Sequence, residues 1–311
     1  MVKAVRFHEY GDTEVLRFED VELPRPSDHE VLVRVAATAF NPFDTVLRSG
    51  VARQVFRLSL PHTPGLDLSG TVVEVGAAVE SPVVGEDVIG LLPATAPGAA
   101  AEYVVAPASV LVPAPKSVPL TDSAAIPMAA LTAWQALFEH GGLTPGQRVL
   151  INGAGGGVGG FAVQLAKRAG AIVLATASSP SAAQVHALGA DEVIDYTAVD
   201  VARAVAQPVQ LVVNLIAGSA ATVEALAGVI EPGGRLVSTT VVNNEFPGHN
   251  VRVEFFRVRS DAEQLQAIVV QVDRGDIQLN IRARYRLDQT RWVHEQSAVG
   301  SVRGRTLLLP S

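Results

Sequence analysis

The sequence predicts an α/β protein in which a smaller, mostly β domain is joined to a doubly wound parallel sheet. Three observations carry this. The chain has 311 residues, about twice a typical domain. Up to residue 119 it reads as short strands broken by Pro and Gly. From residue 120 onward, strand-like and helix-like runs alternate, and a glycine-rich turn, INGAGGGVGG (151–160), joins the first strand to the first helix of that series.

The N-terminal strands are clearest at VLVRVAATAF (31–40) and GTVVEVGAAV (70–79), which are rich in β-branched residues. LPRPSD, NPFD, LPHTPG and SPVVGEDV punctuate them as loops. The pattern changes at LTDSAAIPMAALTAWQALFEHGG (120–142). Thr121 or Asp122 can cap a helix there, Pro127 should kink or delimit its first turns, and Gly141 follows its end. Strands are then expected at RVLING, IVLATA, EVIDY, LVVNL, RLVSTT and VRVEFFRV. Helices are expected at GGFAVQLAKRAG, SAAQVHALGA, VDVARAVAQ and SAATVEALAGVI. Strands this apolar, separated by helices, form a parallel sheet covered on both faces, and six in this order fit a dinucleotide-binding fold. The tail, from about residue 260, reads as a helix (SDAEQLQAIVVQVDRG), a strand, a helix and a last strand, RTLLLP.

Composition narrows the function classes. A net charge of -7 with no local Lys/Arg cluster argues against nucleic acid and against a polybasic membrane patch. The chain has no cysteine, which excludes disulfides, thiolate nucleophiles and Cys-ligated zinc. The opening MVKAVRFHEYG lacks the apolar run of a signal peptide, and Pro107, Pro113 and Pro115 cut the apolar stretch after Tyr103. A soluble, cytoplasmic protein is expected.

The glycine run packs six glycines into ten positions between a strand and a helix. There a backbone must turn tightly and present N–H groups at a helix N-terminus, where the macrodipole also favours a pyrophosphate. Two registers can be written: Gly155, Gly157 and Gly160, or Gly153, Gly156 and Gly159. Phe161 stands where a triphosphate-binding loop would need Lys. No acidic residue occurs between Gly153 and Ala190. NAD sites place a carboxylate after the second strand to bind the ribose 2′-hydroxyl, so its absence permits NADP. Ser178, Ser179 and Ser181 can donate to phosphate oxygens, or belong to an ordinary capped loop.

Ten segments in a fixed order then point to a family: MVKAVRFHEYG, EVLVRV, NPFDTVLRSG, TPGLDLSGTVVEVG, AEYVV, ALTAWQAL, VLINGAGGGVGGFAVQLAK, LGADEVIDY, PGGRLVS and VRGRTLLL. Together they resemble the zinc-free quinone oxidoreductase (zeta-crystallin-like) branch of the medium-chain dehydrogenase/reductase superfamily. The resemblance implies a GroES-like β-barrel catalytic domain from residues 1–119 and 260–311, with a Rossmann NADP-binding domain at 120–259 and the active site in the cleft. It implies homodimers, often paired through the last strand of the dinucleotide sheet, here VRVEFFRV. It assigns the pyrophosphate to Gly156, Gly157 and Val158, and a nicotinamide-side contact to Thr132. Tyr196 matches a tyrosine against the adenosine 2′-phosphate, whereas Ser181 stands where some relatives carry lysine. Asn214 replaces an Asp common among relatives, on the sheet edge facing the cofactor. Thr239, Thr240 and Val241 are assigned to the nicotinamide pocket. Arg303 lies in a segment that can approach the cofactor, and is otherwise a surface charge.

Zinc relatives polarise the substrate oxygen with a bound metal. Against them, Asn41 stands near the first ligand position and Leu66 replaces the ligand histidine, and the seven histidines are scattered. No metal is expected. Hydride addition to a conjugated alkene or quinone needs less, because the acceptor spreads the developing charge. The expected reaction is therefore hydride transfer from NADPH to a quinone or an α,β-unsaturated carbonyl (enone, alkenal or enoyl), a small hydrophobic acceptor. The alternative is a dinucleotide-binding structural or redox-sensing protein with little catalysis. Asn41 and Asp44 are the catalytic candidates: the Asn amide can donate to a carbonyl oxygen, and Asp44 can orient its neighbours or the nicotinamide ribose. Both also suit structure, Asn41 in a turn before Pro42 and Asp44 as a helix cap. Arg48, one turn on, can pair with Asp44, and Tyr103 is either a proton donor or a core tyrosine.

Overall fold

The structure, a computed structural model, describes residues 1–240, 250–302 and 304–310. The chain divides into two compact units, Met1–Met128 with Ser260–Ser311, and Ala129–Arg259.

The first unit opens with an antiparallel pair, β1 (Val2–Phe7) and β2 (Leu16–Val21). Next come β3 (Glu30–Phe40), α1 (Pro42–Ser49), β4 (Asp67–Val75), β5 (Asp87–Leu91), β6 (Tyr103–Pro107), β7 (Leu111–Pro113) and the single turn α2 (Leu120–Ser123). Val31, Val33, Val35, Leu68, Val72, Val88 and Val104 form one of its cores, which is why these strands are so rich in valine. Thr121 and Asp122 do not cap α2, because the helix already starts at Leu120, after Pro119. The Asp122 carboxylate instead takes two bonds from the Arg284 guanidinium, at 3.0 and 2.8 Å. Pro127 delimits as expected. It opens α3 (Pro127–Trp134), where its missing N–H is not needed, and a π-helical turn, Gln135–His140, continues the rod.

The second unit is an α/β sheet. Its elements are β8 (Arg148–Asn152), α4 (Gly157–Arg168), β9 (Ile172–Ala177), α5 (Ser179–Ala187), β10 (Glu192–Asp195), α6 (Val201–Ala204), β11 (Val209–Asn214), α7 (Ala220–Ala227), β12 (Ile230–Ser238) and β13 (Arg252–Phe255). The strands lie in the order β10-β9-β8-β11-β12-β13, all parallel. That is the 3-2-1-4-5-6 order of dinucleotide-binding sheets. Several boundaries differ from the sequence expectation: α6 keeps only Val201–Ala204 of VDVARAVAQ, and β13 only Arg252–Phe255 of VRVEFFRV. α7 stops at Gly228, and Ile230 already pairs with Val209 in the sheet, before a register shift around Pro232–Gly234.

The chain then returns to the first unit through α8 (Ala262–Asp273), β14 (Ile281–Arg286), α9 (Thr290–Ala298) and β15 (Arg305–Leu309). β15 inserts between β14 and β3, giving the order β14-β15-β3-β4-β5-β7, with β6 also on β3. The insertion is locked by a buried ion pair. Arg305 Nη2 lies 2.5 Å from Asp67 Oδ2, with both side chains almost wholly buried. The same oxygen accepts from Asn41 Nδ2 at 2.9 Å, and Arg305 Nη1 donates to Asn41 Oδ1 at 2.8 Å. Asp67 Oδ1 accepts from the backbone N–H of Met128, at the start of α3, at 2.6 Å.

Arg305→Met leaves the Asp67 charge buried without its counter-ion. It should lower stability by about 3–5 kcal/mol. Arg284→Met, which breaks the exposed pair with Asp122, should lower it by less than about 1 kcal/mol. Urea unfolding of the two variants side by side measures the difference.

Candidate functional site

The glycine run forms a turn between β8 and α4. Gly153 has a φ of +99°, in the left-handed region that favours glycine. Gly156 caps α4, and a Cβ there would stand 3.3 Å from the Gly153 carbonyl oxygen. A Cβ on Gly159 would lie 2.3 Å from that oxygen and 2.5 Å from the Ala154 Cα, so the helix can approach the turn only with glycine at this position. The structural demands therefore fall on Gly153, Gly156 and Gly159, the second of the two registers. Gly156 spends its own N–H on the Gly153 carbonyl at 3.1 Å. The N–H groups of Gly157, Val158 and Gly159 begin a helix of 12 residues, and helix geometry gives them no carbonyl within it. A pyrophosphate fits this cradle: it has donors, a favourable dipole and no side chain in the way.

Ser178, Ser179 and Ser181 gather at the start of α5. Ser178 is its N-cap residue, and Ser181 is buried, with its Cβ 3.1 Å from where a Cβ on Gly155 would be. Ser179 Oγ donates to Asp195 Oδ2 at 2.5 Å. Asp195 ends β10 directly beside Ala177, the last residue of β9. Its other oxygen accepts from Thr197 N at 2.9 Å and Thr197 Oγ1 at 2.6 Å. These bonds, that from Ser179 foremost, hold its carboxyl below the usual range. Tyr196 follows, with about half its surface exposed. Reading along the chain after β9 does not reach Asp195. It arrives from the neighbouring strand, and the signal was present in VIDY.

A row of polar side chains crosses the carboxyl ends of four strands. Thr176 Oγ1 donates to Asn152 Oδ1 at 2.9 Å and accepts from Gly153 N at 2.9 Å. Asn152 Nδ2 donates to Asn214 Oδ1 at 2.8 Å. Asn214 Nδ2 donates to the Ile216 carbonyl at 3.0 Å and lies 3.1 Å from Ser238 Oγ and 3.4 Å from Thr240 Oγ1. A carboxylate at 214 could not make those donations, which accounts for the amide. Thr239 donates its N–H to the Asn214 carbonyl, and Thr239 and Thr240 are half-buried. Thr132 is buried on α3. Val241 and Arg303 lie outside the described residues.

In the first unit the structure brings Asn41 and Asp44 together, both buried. The Asn41 amide is engaged on both sides: Nδ2 donates to the Ala39 carbonyl at 3.1 Å and to Asp67, and Oδ1 accepts from Arg305. Its side chain thus fixes the start of α1 and leaves no free hydrogen on the amide nitrogen. Asp44 accepts from the backbone N–H groups of Asn41 at 2.8 Å and Gly65 at 3.2 Å. Burial pushes its carboxyl up to about 7, assisted by the Asp67 charge and opposed by those two N–H groups and Arg305. Arg48 does not pair with Asp44, which has turned to the helix N-terminus. Arg48 Nη1 donates instead to the Gly11 carbonyl at 2.7 Å. Tyr103 is half-buried at the start of β6. A catalytic zinc does not fit these residues: Leu66 is apolar, the Asn41 oxygen already faces a guanidinium, and the chain has no thiolate. Among the described residues no three His, Cys, Asp or Glu side chains converge as a metal site.

Two outcomes follow from this geometry. Gly159→Ala should weaken dinucleotide binding and lower stability by at least about 1 kcal/mol, read by titration and thermal unfolding, because the methyl meets backbone atoms. The Asp44 carboxyl binds its proton more tightly in the folded chain than at its ordinary 3.8. The stability tied to it is therefore full below about 4 and declines as pH rises towards 7. Asp44→Asn carries no such proton, so its stability relative to the parent should improve between pH 4 and pH 7, measured by denaturant unfolding at each pH.

Comparison with known proteins agrees with this architecture. The alcohol dehydrogenase GroES-like domain family matches residues 27–116, and the zinc-binding dehydrogenase family matches residues 188–308. The quinone-oxidoreductase homolog of Spinacia oleracea, a chloroplastic protein, is 39% identical over 202 residues, 63% of this chain. The match spans 61% of that relative's length. The solved structure of the quinone oxidoreductase from Coxiella burnetii superposes with a TM-score of 0.90 at 30% identity, covering 100% of this chain and 99% of that one. A mycobacterial protein solved in complex with NADPH superposes with a TM-score of 0.86 at 26% identity, covering 100% of both chains. With the GroES-like unit, the 3-2-1-4-5-6 sheet and the glycine cradle, these matches establish that the chain belongs to the medium-chain dehydrogenase/reductase superfamily, in its quinone oxidoreductase branch.

Proposed function

We propose that the protein is an NADPH-dependent oxidoreductase that reduces a quinone or an α,β-unsaturated carbonyl without a metal. The observation that carries this reading is the glycine cradle of the second unit, combined with a first unit whose residues cannot assemble a zinc site. NADPH, when bound, supplies the hydride. The N–H groups of Gly157, Val158 and Gly159 receive the pyrophosphate, and the absence of a side chain at Gly156 keeps the cradle open. Ser178, Ser179, Ser181 and Tyr196 take the adenosine end. Thr132, Thr239 and Thr240 serve the nicotinamide end. Asn214 sets the strand ends on which Thr239 and Thr240 are mounted.

Asn41 and Asp44 act by positioning. Asp44 fixes the backbone of Asn41 and Gly65, and Asn41 fixes the turn into α1, so the segment after β3 is presented in one conformation. Orientation of donor and acceptor is the protein's main contribution to such a transfer. A conjugated acceptor suits this chain because the charge that develops on hydride addition delocalises into an enolate or hydroquinone. The protein then need not supply a Lewis acid. We further propose a cytoplasmic homodimer, joined through the outer edge of β13; edge strands are natural templates for a second copy.

The test is NADPH oxidation followed by absorbance. Benzoquinone-type acceptors or simple enones should be turned over, and prolonged EDTA treatment should leave the rate unchanged. If both acceptor groups leave the absorbance steady, the reading fails.

A further inference from the structure

The dinucleotide reading leaves open how the chain tells NADPH from NADH, and the β9–α5 turn bears on that. In this fold the ribose 2′ position is read at the carboxyl end of the second strand, where NAD-binding chains place Asp or Glu. Here that strand is β9, ending at Ala177, and the residues that follow are Ser178 and Ser179. No Lys or Arg occurs between Arg168 and Arg203, so no cation of this stretch is available to a 2′-phosphate. A carboxylate is available. Asp195 lies beside Ala177 in the strand register and reaches Ser179 Oγ. Its side chain is half-buried, and its bonds from Ser179 and Thr197 favour the charged form. Of the three serines expected to donate to a phosphate, Ser178, Ser179 and Ser181, Ser179 has its hydroxyl proton committed to that anion.

We infer that Asp195 is the residue that limits the NADPH preference of this chain: supplied by the third strand instead of the second, it faces the ribose 2′ position, where it accepts from a 2′-hydroxyl and opposes a 2′-phosphate, so that NADH remains a competing ligand beside NADPH. The inference rests on the dinucleotide reading above and qualifies its NADPH preference. A carboxylate accepts a hydrogen bond from a 2′-hydroxyl, whereas a 2′-phosphate brings like charge against it. Ser179 and Thr197 hold the carboxylate in place, so the discrimination is built into the turn. Because Asp195 is open to solvent on one side only, its effect is partly screened by salt.

The test is a titration of NADPH and of NADH into the full chain, read by nucleotide or protein fluorescence. Asp195→Asn keeps the side-chain shape and removes the charge. It should raise the NADPH-over-NADH affinity ratio by about fivefold at low salt, the weight of one unit charge at roughly 4 Å in water. The shift should shrink at high salt. Asp195→Ser should move the ratio in the same direction. Thr197→Ala removes one hydroxyl bond to Asp195 but keeps the charge and the bonds from Ser179 and the backbone N–H of residue 197, and should move the ratio by clearly less than Asp195→Asn. A ratio unchanged in Asp195→Asn overturns the inference. So does a Thr197→Ala variant that moves the ratio as far as Asp195→Asn, since the effect is then one of loop structure. If the parent chain binds neither nucleotide, the dinucleotide reading falls and this inference falls with it.

Discussion

The first unit depends on one buried carboxylate. Asp67 sits at the start of β4, and its two oxygens are shared among the Arg305 guanidinium, the Asn41 amide and the Met128 backbone N–H. Those partners come from β15 near the end of the chain, from the residue before α1, and from the first turn of α3. Moving a carboxylate and a guanidinium out of water is costly, and their attraction offsets that only when every remaining lone pair and proton is used. Here the carboxylate takes three donors and both terminal nitrogens of Arg305 donate, while the buried Arg305 Nε finds no partner among the described groups. The gain is positional. An apolar pair of equal size could fill the same volume but would not fix which residue of β15 meets β4. A shift of one residue in a strand turns every side chain to the opposite face, and the Asp67–Arg305 pair excludes that slip for β15.

The second unit solves a related problem with neutral groups. Parallel strands end together at their carboxyl edge, and the backbone groups there lie next to the position a ligand takes in this fold. Thr176, Asn152, Asn214 and Ser238 bind one another across β9, β8, β11 and β12. Each amide donates to one neighbour and accepts from another, so the row is satisfied without charge. A neutral row leaves the field at the cradle to the dipole of α4, which favours the anionic pyrophosphate. A carboxylate at 214 would have opposed it. The amide at this position thus serves both the sheet and the site.

Much of this was legible in the sequence, for reasons that differ between the units. Among the described residues, the six strands and four helices that alternation predicts in the second unit all appear, with α6 and α7 shorter than expected. A parallel sheet buries both faces, and its strands stand out as apolar runs. The glycine turn was legible as a cradle, but its register was not: Gly153, Gly156 and Gly159 are distinguished from their neighbours by a positive φ and by the atoms a Cβ would strike, and neither is written in the residue letters. Partners distant along the chain were the least legible. Asp195 joins Ser179 through strand pairing, and Arg305 reaches Asn41 across 264 positions. Arg48, one turn from Asp44 and opposite in charge, invited a local pair. The helix cap claimed Asp44 first, because unmet backbone N–H groups in a buried turn cost more than an unmade side-chain pair.

The same network explains why the first unit suits chemistry without a metal. A divalent cation needs side-chain lone pairs that are free and a local field that is not already positive. The only side-chain oxygen that Asn41 offers faces the Arg305 guanidinium at 2.8 Å, and the adjacent carboxylate is neutralised by the same group. Arg305 thus supplies in fixed form the positive charge that this carboxylate requires. A fixed guanidinium cannot polarise a substrate oxygen from inside the core, where it is buried and bonded on both terminal nitrogens. What it can do is hold the turn into α1 rigid, and with it the Asp44 carboxyl and the Gly65 backbone. A site built this way contributes orientation, and a reaction that proceeds on orientation alone must have an acceptor able to carry its own developing charge. The conjugated acceptor proposed above is in that sense the one that matches how Asp67 is neutralised.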